Sequence, residues 1–440
     1  SMAVVQHETS SDGPRAQEWP AGLSSDNLHG TDKRRRRCTR RRCCMTSCIV
    51  CPLCCGGLLF VLLLALLHVL TDMAVEAFLD LDQAEDRAYT YPNATSASLV
   101  SSVWWPGCGY VHNMSDFSSG CAEPCFSAEW LDDMYAFNLR NPGELVNYTS
   151  RQADGVSTIK LGGWWLPAPA SNATDPSPVV VLQHPFKSNS NHFRLQMAAF
   201  MLRRRGFGVL LSNWRDHGYS DSSGTGTYQW GDAYVYDVLG AWDFVVADPD
   251  GKLGGPRSSD LVGVMGFSKG AFVSTTAFGM EGRIPGAWAD GGPFTPEAVF
   301  KHGARKTMAS MSVGFLAPLT VGTVWDRLVE KASRRGVHLS RHLPENTLPA
   351  GPDTRRRIYV VADVGDDTVP LSQAQSLATL LQGHAEKYDA TVWTTSASCH
   401  GSSHCMQLLD EYEDYETRLC AFWSGVFGLD SSTRCHSEGE

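Results

Sequence analysis

The sequence predicts a mostly parallel β-sheet covered by helices on both faces, filling the larger part of a 440-residue chain. Three observations predict it. Short apolar runs of the kind that form buried strands recur at Val179–Leu182, Gly208–Leu211, Leu261–Met265 and Ile358–Ala362. Between them lie longer stretches with helical spacing, and the alternation holds from about Glu144 to residue 430. Composition is that of a globular chain, with 43% hydrophobic and 19% charged residues.

Taken in order, Glu144–Arg151 and Val156–Leu166 flank Asp154-Gly155, a strong hairpin signal. Val179–Leu182 is a buried strand. A helix follows with Leu195, Ala198, Ala199 and Leu202 on one face and stops at Gly206. Gly208–Leu211 is the next strand, then a helix over Asp232–Ala247, then the strand Leu261–Met265. Ile284–Asp290 reads as another strand. Residues 295–350 break the alternation: they carry Met308, Met311, Phe315, Leu316 and Trp325 with prolines at 318, 344 and 349, and are expected to form a small helical cap. The rival for them is an ordinary surface helix pair. Ile358–Ala362, a helix over Ser372–Leu381, the strand Thr391–Trp393 and one helix over Cys405–Phe427 complete the domain, expected over 144–430.

The N-terminal part has a different character. Residues 1–48 read as a polar cytoplasmic tail with basic residues at Lys33–Arg37 and Arg40–Arg42. Residues 49–70 are almost wholly apolar, long enough for a single transmembrane signal anchor. The far flank carries Asp72, Glu76, Asp80 and Asp82, so the charge asymmetry places the bulk of the chain on the lumenal or extracellular side, as in a type II membrane protein of the secretory pathway or cell surface. A cleaved signal peptide and a buried core helix are the rivals. Residues 71–143 read as a cysteine-containing stem. All four glycosylation sequons, at Asn93, Asn113, Asn147 and Asn172, fall after the apolar run. Seven cysteines (38, 43, 44, 48, 51, 54 and 55) crowd the basic edge of the run and suggest S-palmitoylation, with a metal cluster as rival. The other seven suit disulfides, with one pair expected among Cys108, Cys121 and Cys125 and another between Cys399 and Cys405. The net charge of −10, with so many basic residues in the tail, argues against nucleic-acid binding by the main domain.

Chemistry concentrates after the strand Leu261–Met265. Gly266-Phe267-Ser268-Lys269-Gly270 follows it directly and leads into a helix, so a sharp turn holds the Ser268 hydroxyl clear of the sheet. A serine needs a base, and the base an orienting carboxylate. Asp366 follows the strand Ile358–Ala362 and His404 follows Thr391–Trp393, giving the order Ser, Asp, His. Asp367 and His400 are the rivals for the two roles. Acyl transfer also needs two donors for the developing oxyanion. The Lys269 and Phe186 backbone N–H groups are the candidates.

These motifs resemble the α/β-hydrolase fold of serine hydrolases, in the branch of esterases, lipases, thioesterases and serine aminopeptidases. Asp154-Gly155 to Trp164-Trp165-Leu166-Pro167 resembles its opening hairpin, and Asn213-Trp214-Arg215-Asp216-His217-Gly218-Tyr219-Ser220 its D-x-R-G-x-G-x-S loop. Asp366–Pro370 with Ala374 resembles its acid loop, and His404 with Tyr412 and Phe422 its histidine helix. Pro185 and Lys269 depart from the pattern. The resemblance, the cap and the apolar run together imply a membrane-anchored serine hydrolase that cleaves an ester or thioester of an acyl or lipid-like substrate and needs neither metal nor cofactor. A peptidase of the same fold, or a non-catalytic receptor or scaffold, are the alternatives.

Overall fold

The computed structural model describes residues 43–79, 103–105, 109–111, 128–151, 159–169, 177–352, 354–396 and 404–435. The chain divides into two units, Ser1–Leu62 and Leu63–Glu440. The described part of the first is the start of helix α1 (Cys43–Leu79), where Leu58, Phe60, Val61 and Leu62 are exposed. The expected span 49–70 lies inside α1, which runs on through Asp72 and Glu76. Among the described residues, no helix is long and apolar enough to cross a membrane.

The second unit begins within α1 and continues through a small hairpin, β1 (Val103–Trp105) and β2 (Gly109–Val111), and helix α2 (Ala128–Arg140). Then come β3 (Glu144–Thr149), β4 (Lys160–Leu166), β5 (Val179–Gln183), α3 (Phe193–Arg204), β6 (Gly208–Ser212) and α4 (Trp230–Ala247). β7 (Val262–Phe267), α5 (Lys269–Met280) and β8 (Gly286–Asp290) form the middle. Helices α6 (Pro296–Ser310) and α7 (Ala317–Arg334) fill most of the stretch expected as a cap. β9 (Arg356–Asp363), α8 (Leu371–Gln382), β10 (Tyr388–Thr395) and α9 (Tyr412–Val426) follow.

The eight strands β3–β10 pair in the order β10-β9-β8-β7-β5-β6-β4-β3. Only β4 runs antiparallel to its neighbours; the other pairs are parallel. The period of two along each strand decides which layer each side chain joins. On β5, Val180 and Leu182 enter the layer built with α2, α3 and α9, while Val179 and Val181 enter the layer built with α4, α5 and α8. On β7, Met265 and Phe267 divide from Val262 and Val264 in the same way. Burial on both faces is why these runs read as continuously apolar. Helix α2 lies before residue 144, yet Trp130, Leu131 and Met134 are buried in the first of these layers. The Trp130 ring meets that of Phe200 edge-on at 5.1 Å.

Two expectations fail. The single helix over Cys405–Phe427 is broken: a short turn at Gln407–Asp410 ends at Glu411, before α9 begins. Glu411 accepts a hydrogen bond from the Thr395 hydroxyl at 2.8 Å, a tertiary contact that fixes the break. The expected Cys399–Cys405 pair does not form, because Cys405 is a free thiol buried in the core, its Sγ 3.3 Å from the Asp290 carbonyl. Cys420 and Cys435 are bonded instead. Met311 and Phe315, in the turn between α6 and α7, are 62% and 77% exposed. Cys108, Cys121, Cys125 and Cys399 lie outside the described residues.

Candidate active site

Strand β7 delivers Ser268 to the turn before α5. Its backbone has φ 54° and ψ −121°, a conformation that costs a non-glycine residue roughly 1–3 kcal/mol. Two close approaches make glycine necessary around it. A Cβ on Gly266 would lie 2.2 Å from the Gly270 carbonyl, and one on Gly270 would lie 2.4 Å from the Gln183 carbonyl. The turn is therefore pressed against the end of β5, which brings the start of α5 beside the loop Gln183–Lys187. The Ser268 N–H donates to the Asp290 carbonyl at 2.7 Å, tying the turn to β8.

The three side chains singled out by their order in the sequence meet here. Ser268 Oγ is 2.8 Å from His404 Nε2, and His404 Nδ1 is 2.7 Å from Asp366 Oδ2. Asp366 accepts two further bonds at Oδ1, from the Thr368 and Val369 N–H groups at 2.8 Å each. That fixes the carboxylate and leaves Oδ2 for the imidazole. Nδ1 then carries the proton and Nε2 accepts from the serine hydroxyl, the arrangement a general base requires. Asp367 points elsewhere: it is exposed and pairs with Lys306 of α6 at 2.5 Å, a contact that lowers its pKa. His400 lies outside the described residues.

The histidine loop is held by a residue that no sequence motif singles out. Half-buried Arg194, at the start of α3, donates to the His404 and Cys405 carbonyls at 2.8 Å each. Asp290 is a second hub. Its carbonyl accepts from Ser268 N–H and from the Cys405 thiol, and its carboxylate accepts from the Tyr415 hydroxyl of α9 at 2.8 Å. Burial raises the Asp290 pKa to about 7.

Lys269 carries its backbone N–H at the start of α5, and its side chain turns into a box of rings. Its ammonium lies 3.7 Å from the Tyr228 centroid, 4.4 Å from Tyr234, 4.9 Å from Trp230, 5.4 Å from Phe186 and 5.5 Å from Trp214. Ring faces attract a cation, and most strongly where water is excluded. Beside the box, His184 is fully buried, which lowers its pKa to about 3, and the Lys269 charge lowers it further. His217 is lowered for the same leading reason. Neutral His217 donates through Nδ1 to the Arg215 carbonyl at 2.7 Å and accepts at Nε2 from the Tyr228 hydroxyl at 2.8 Å. The Tyr228 oxygen in turn accepts from the Lys187 N–H at 2.5 Å. Phe186 thus sits between a pinned Lys187 and the ring box, its ring 4.7 Å from that of Tyr228. Of the four sequon asparagines, Asn147 is exposed on the edge strand β3, and Asn93, Asn113 and Asn172 lie outside the described residues.

No protein-family model matches the chain, and no curated protein matches it. Among solved structures, it is similar to an esterase of Pyrococcus furiosus at 19% identity and a TM-score of 0.47, over 66% of this chain and 93% of that one. It is also similar to a puromycin-hydrolysing peptidase of Mycobacterium tuberculosis, at 16% identity and a TM-score of 0.47, over 66% of this chain and 40% of that one. The acylaminoacyl peptidase of Pyrococcus horikoshii follows at 14% identity and a TM-score of 0.45, over 69% of this chain and 46% of that one. The architecture carries the conclusion on its own strands. Numbered within the sheet, they run 1-2-4-3-5-6-7-8, the second alone is reversed, and the fifth delivers a serine to a tight turn before a helix. The chain has the α/β-hydrolase fold.

Proposed function

We propose that the protein is a serine hydrolase that cleaves an ester or thioester of an acyl, lipid-like substrate through an acyl-enzyme. The observation that carries this reading is the unbroken hydrogen-bond chain from Ser268 Oγ through His404 to Asp366. In the first half-reaction Ser268 Oγ attacks the carbonyl carbon while His404 Nε2 takes its proton. The oxyanion is met by the Lys269 and Phe186 N–H groups. The tetrahedral intermediate collapses as His404 returns the proton to the leaving alcohol or thiol. Water repeats the sequence on the acyl-enzyme and releases the acid. Asp366 stabilises the imidazolium and fixes its tautomer throughout.

The membrane tether is part of the same proposal. It is supported by the basic tail, the apolar run and its acidic far flank, and by the outward-facing Leu58, Phe60, Val61, Leu62, Leu66 and Val69 on α1. The test of the chemistry is labelling with a fluorophosphonate. The wild-type chain is expected to label, and Ser268→Ala to lose the label entirely. A folded wild type that never labels would sink the reading in favour of a non-catalytic scaffold. Profiling acyl esters against aminoacyl amides then separates an esterase from a peptidase.

A further inference from the structure

We infer that the end of helix α1 is a working part of the active site, with Phe78 as a positioning residue for the oxyanion loop; this rests on Phe186 N–H being an oxyanion donor. Phe78 stacks on Trp230 at 4.4 Å between centroids, meets Phe300 of α6 edge-on at 5.6 Å, and lies 6.5 Å from Phe186. The ring of Phe186 is 5.8 Å from Trp230 and 4.7 Å from Tyr228. Phe186 is therefore held in an aromatic cluster to which Phe78 contributes from outside the sheet domain.

The backbone makes the connection directional. A helix end leaves carbonyls without partners inside the helix. Here the Leu79 carbonyl accepts from the Tyr228 N–H at 2.6 Å, and the Phe78 carbonyl accepts from Trp230 Nε1 at 3.3 Å. These two acceptors fix Tyr228 and Trp230. Tyr228 then fixes the loop by accepting from Lys187 N–H. The same helix is pinned again about two turns earlier, where Asp72 pairs with Lys331 of α7. The helix end thus reaches the loop by two routes, ring packing onto Phe186 and hydrogen bonding through Tyr228. An oxyanion donor works only when it is held where charge will develop, and small misplacement is costly.

The test uses the full chain in detergent and measures the rate constant of fluorophosphonate reaction at Ser268, with saturation kinetics separating probe binding from the chemical step. Phe78→Ala is expected to slow the chemical step about 10-fold or more with little change in probe binding. Phe78→Tyr, which keeps the ring, is expected to restore the rate. Leu328→Ala, a buried α7 residue in the same apolar cluster, is the control for stability alone: it is expected to lower the melting temperature and leave the chemical step unchanged. An unchanged rate in Phe78→Ala, or an equal loss in Leu328→Ala, overturns the inference. If Phe78→Ala does not fold, Trp230→Phe decides, since it keeps a ring and removes the donor to the Phe78 carbonyl: a slowed chemical step supports the inference and an unchanged one overturns it. A wild type that never labels removes the proposed activity itself, whereas a labelling wild type with an indifferent Phe78→Ala removes this inference alone.

Discussion

Asp290 joins both halves of the site, holding the Ser268 turn with its backbone and α9 with its carboxylate. Its folded pKa of about 7 against an ordinary 3.8 means that the native state binds the proton more tightly. The resulting stability is complete below pH 4 and is lost as pH rises through about 7. The buried histidines act in the opposite sense. The folded pKa of His184 is lowered to about 3, so its contribution is present above pH 6.5 and lost as pH falls toward 3. A raw stability curve mixes the two, and a difference between variants separates them. Asp290→Asn is expected to gain on wild type by on the order of a few kcal/mol between pH 4 and pH 8, read from urea midpoints. A difference that stays flat would show that Asp290 holds no extra proton. Position along the chain was enough to tell which side chains would meet. The order Ser268, Asp366, His404 and the strand before each one brought together three groups that do meet. It failed for Arg194, Asp290 and Phe78, whose partners lie far away in sequence, at His404, Tyr415 and Trp230. The one available signal was Lys269 itself, a lysine after the nucleophile that needed an enclosure of some kind.

At the scale of elements, legibility followed burial. Strands enclosed on both faces, such as β5 and β7, announce themselves as apolar runs, and their ends shift by only a residue or two. β10 shows the reverse: most of its residues face outward, so only its centre was visible and the strand extends over Tyr388–Thr395. The break at Glu411 was invisible because helical periodicity continues across it, and the cause is the distant Thr395 hydroxyl. The crossing of α4 over β3 was also invisible. A Cβ on Gly240 would lie 2.3 Å from the Thr149 carbonyl and 2.8 Å from the Arg151 nitrogen, both backbone atoms that cannot swing aside. Gly240→Ala is therefore expected to force helix and strand apart and to destabilise the fold by about 1–3 kcal/mol, measured by chemical denaturation. Because Gly240 lies away from Ser268 in the fold, the folded fraction should label at the wild-type rate. A fully stable Gly240→Ala would contradict the close crossing.

For the whole molecule, the tether and the side of the membrane remain proposals that one measurement addresses. Exposed Asn147 on the outer edge of the sheet is open to glycosylation. Chain taken from native membranes is expected to lose mass on peptide-N-glycosidase treatment, and Asn147→Gln to remove part of that shift. An unchanged mass would count against the lumenal placement. The disulfide Cys420–Cys435 adds a consequence of a different kind. It closes a loop with a sequence separation of 15 around the end of α9, and closing such a loop is worth roughly 3 kcal/mol in the chain-entropy account. α9 carries Tyr415, which reaches Asp290 and through it the serine turn. A newly made, reduced polypeptide therefore has all its reactive groups but lacks the brace behind them. Reduction of Cys420–Cys435 is therefore expected to loosen α9 and, through Tyr415, the support behind the serine turn.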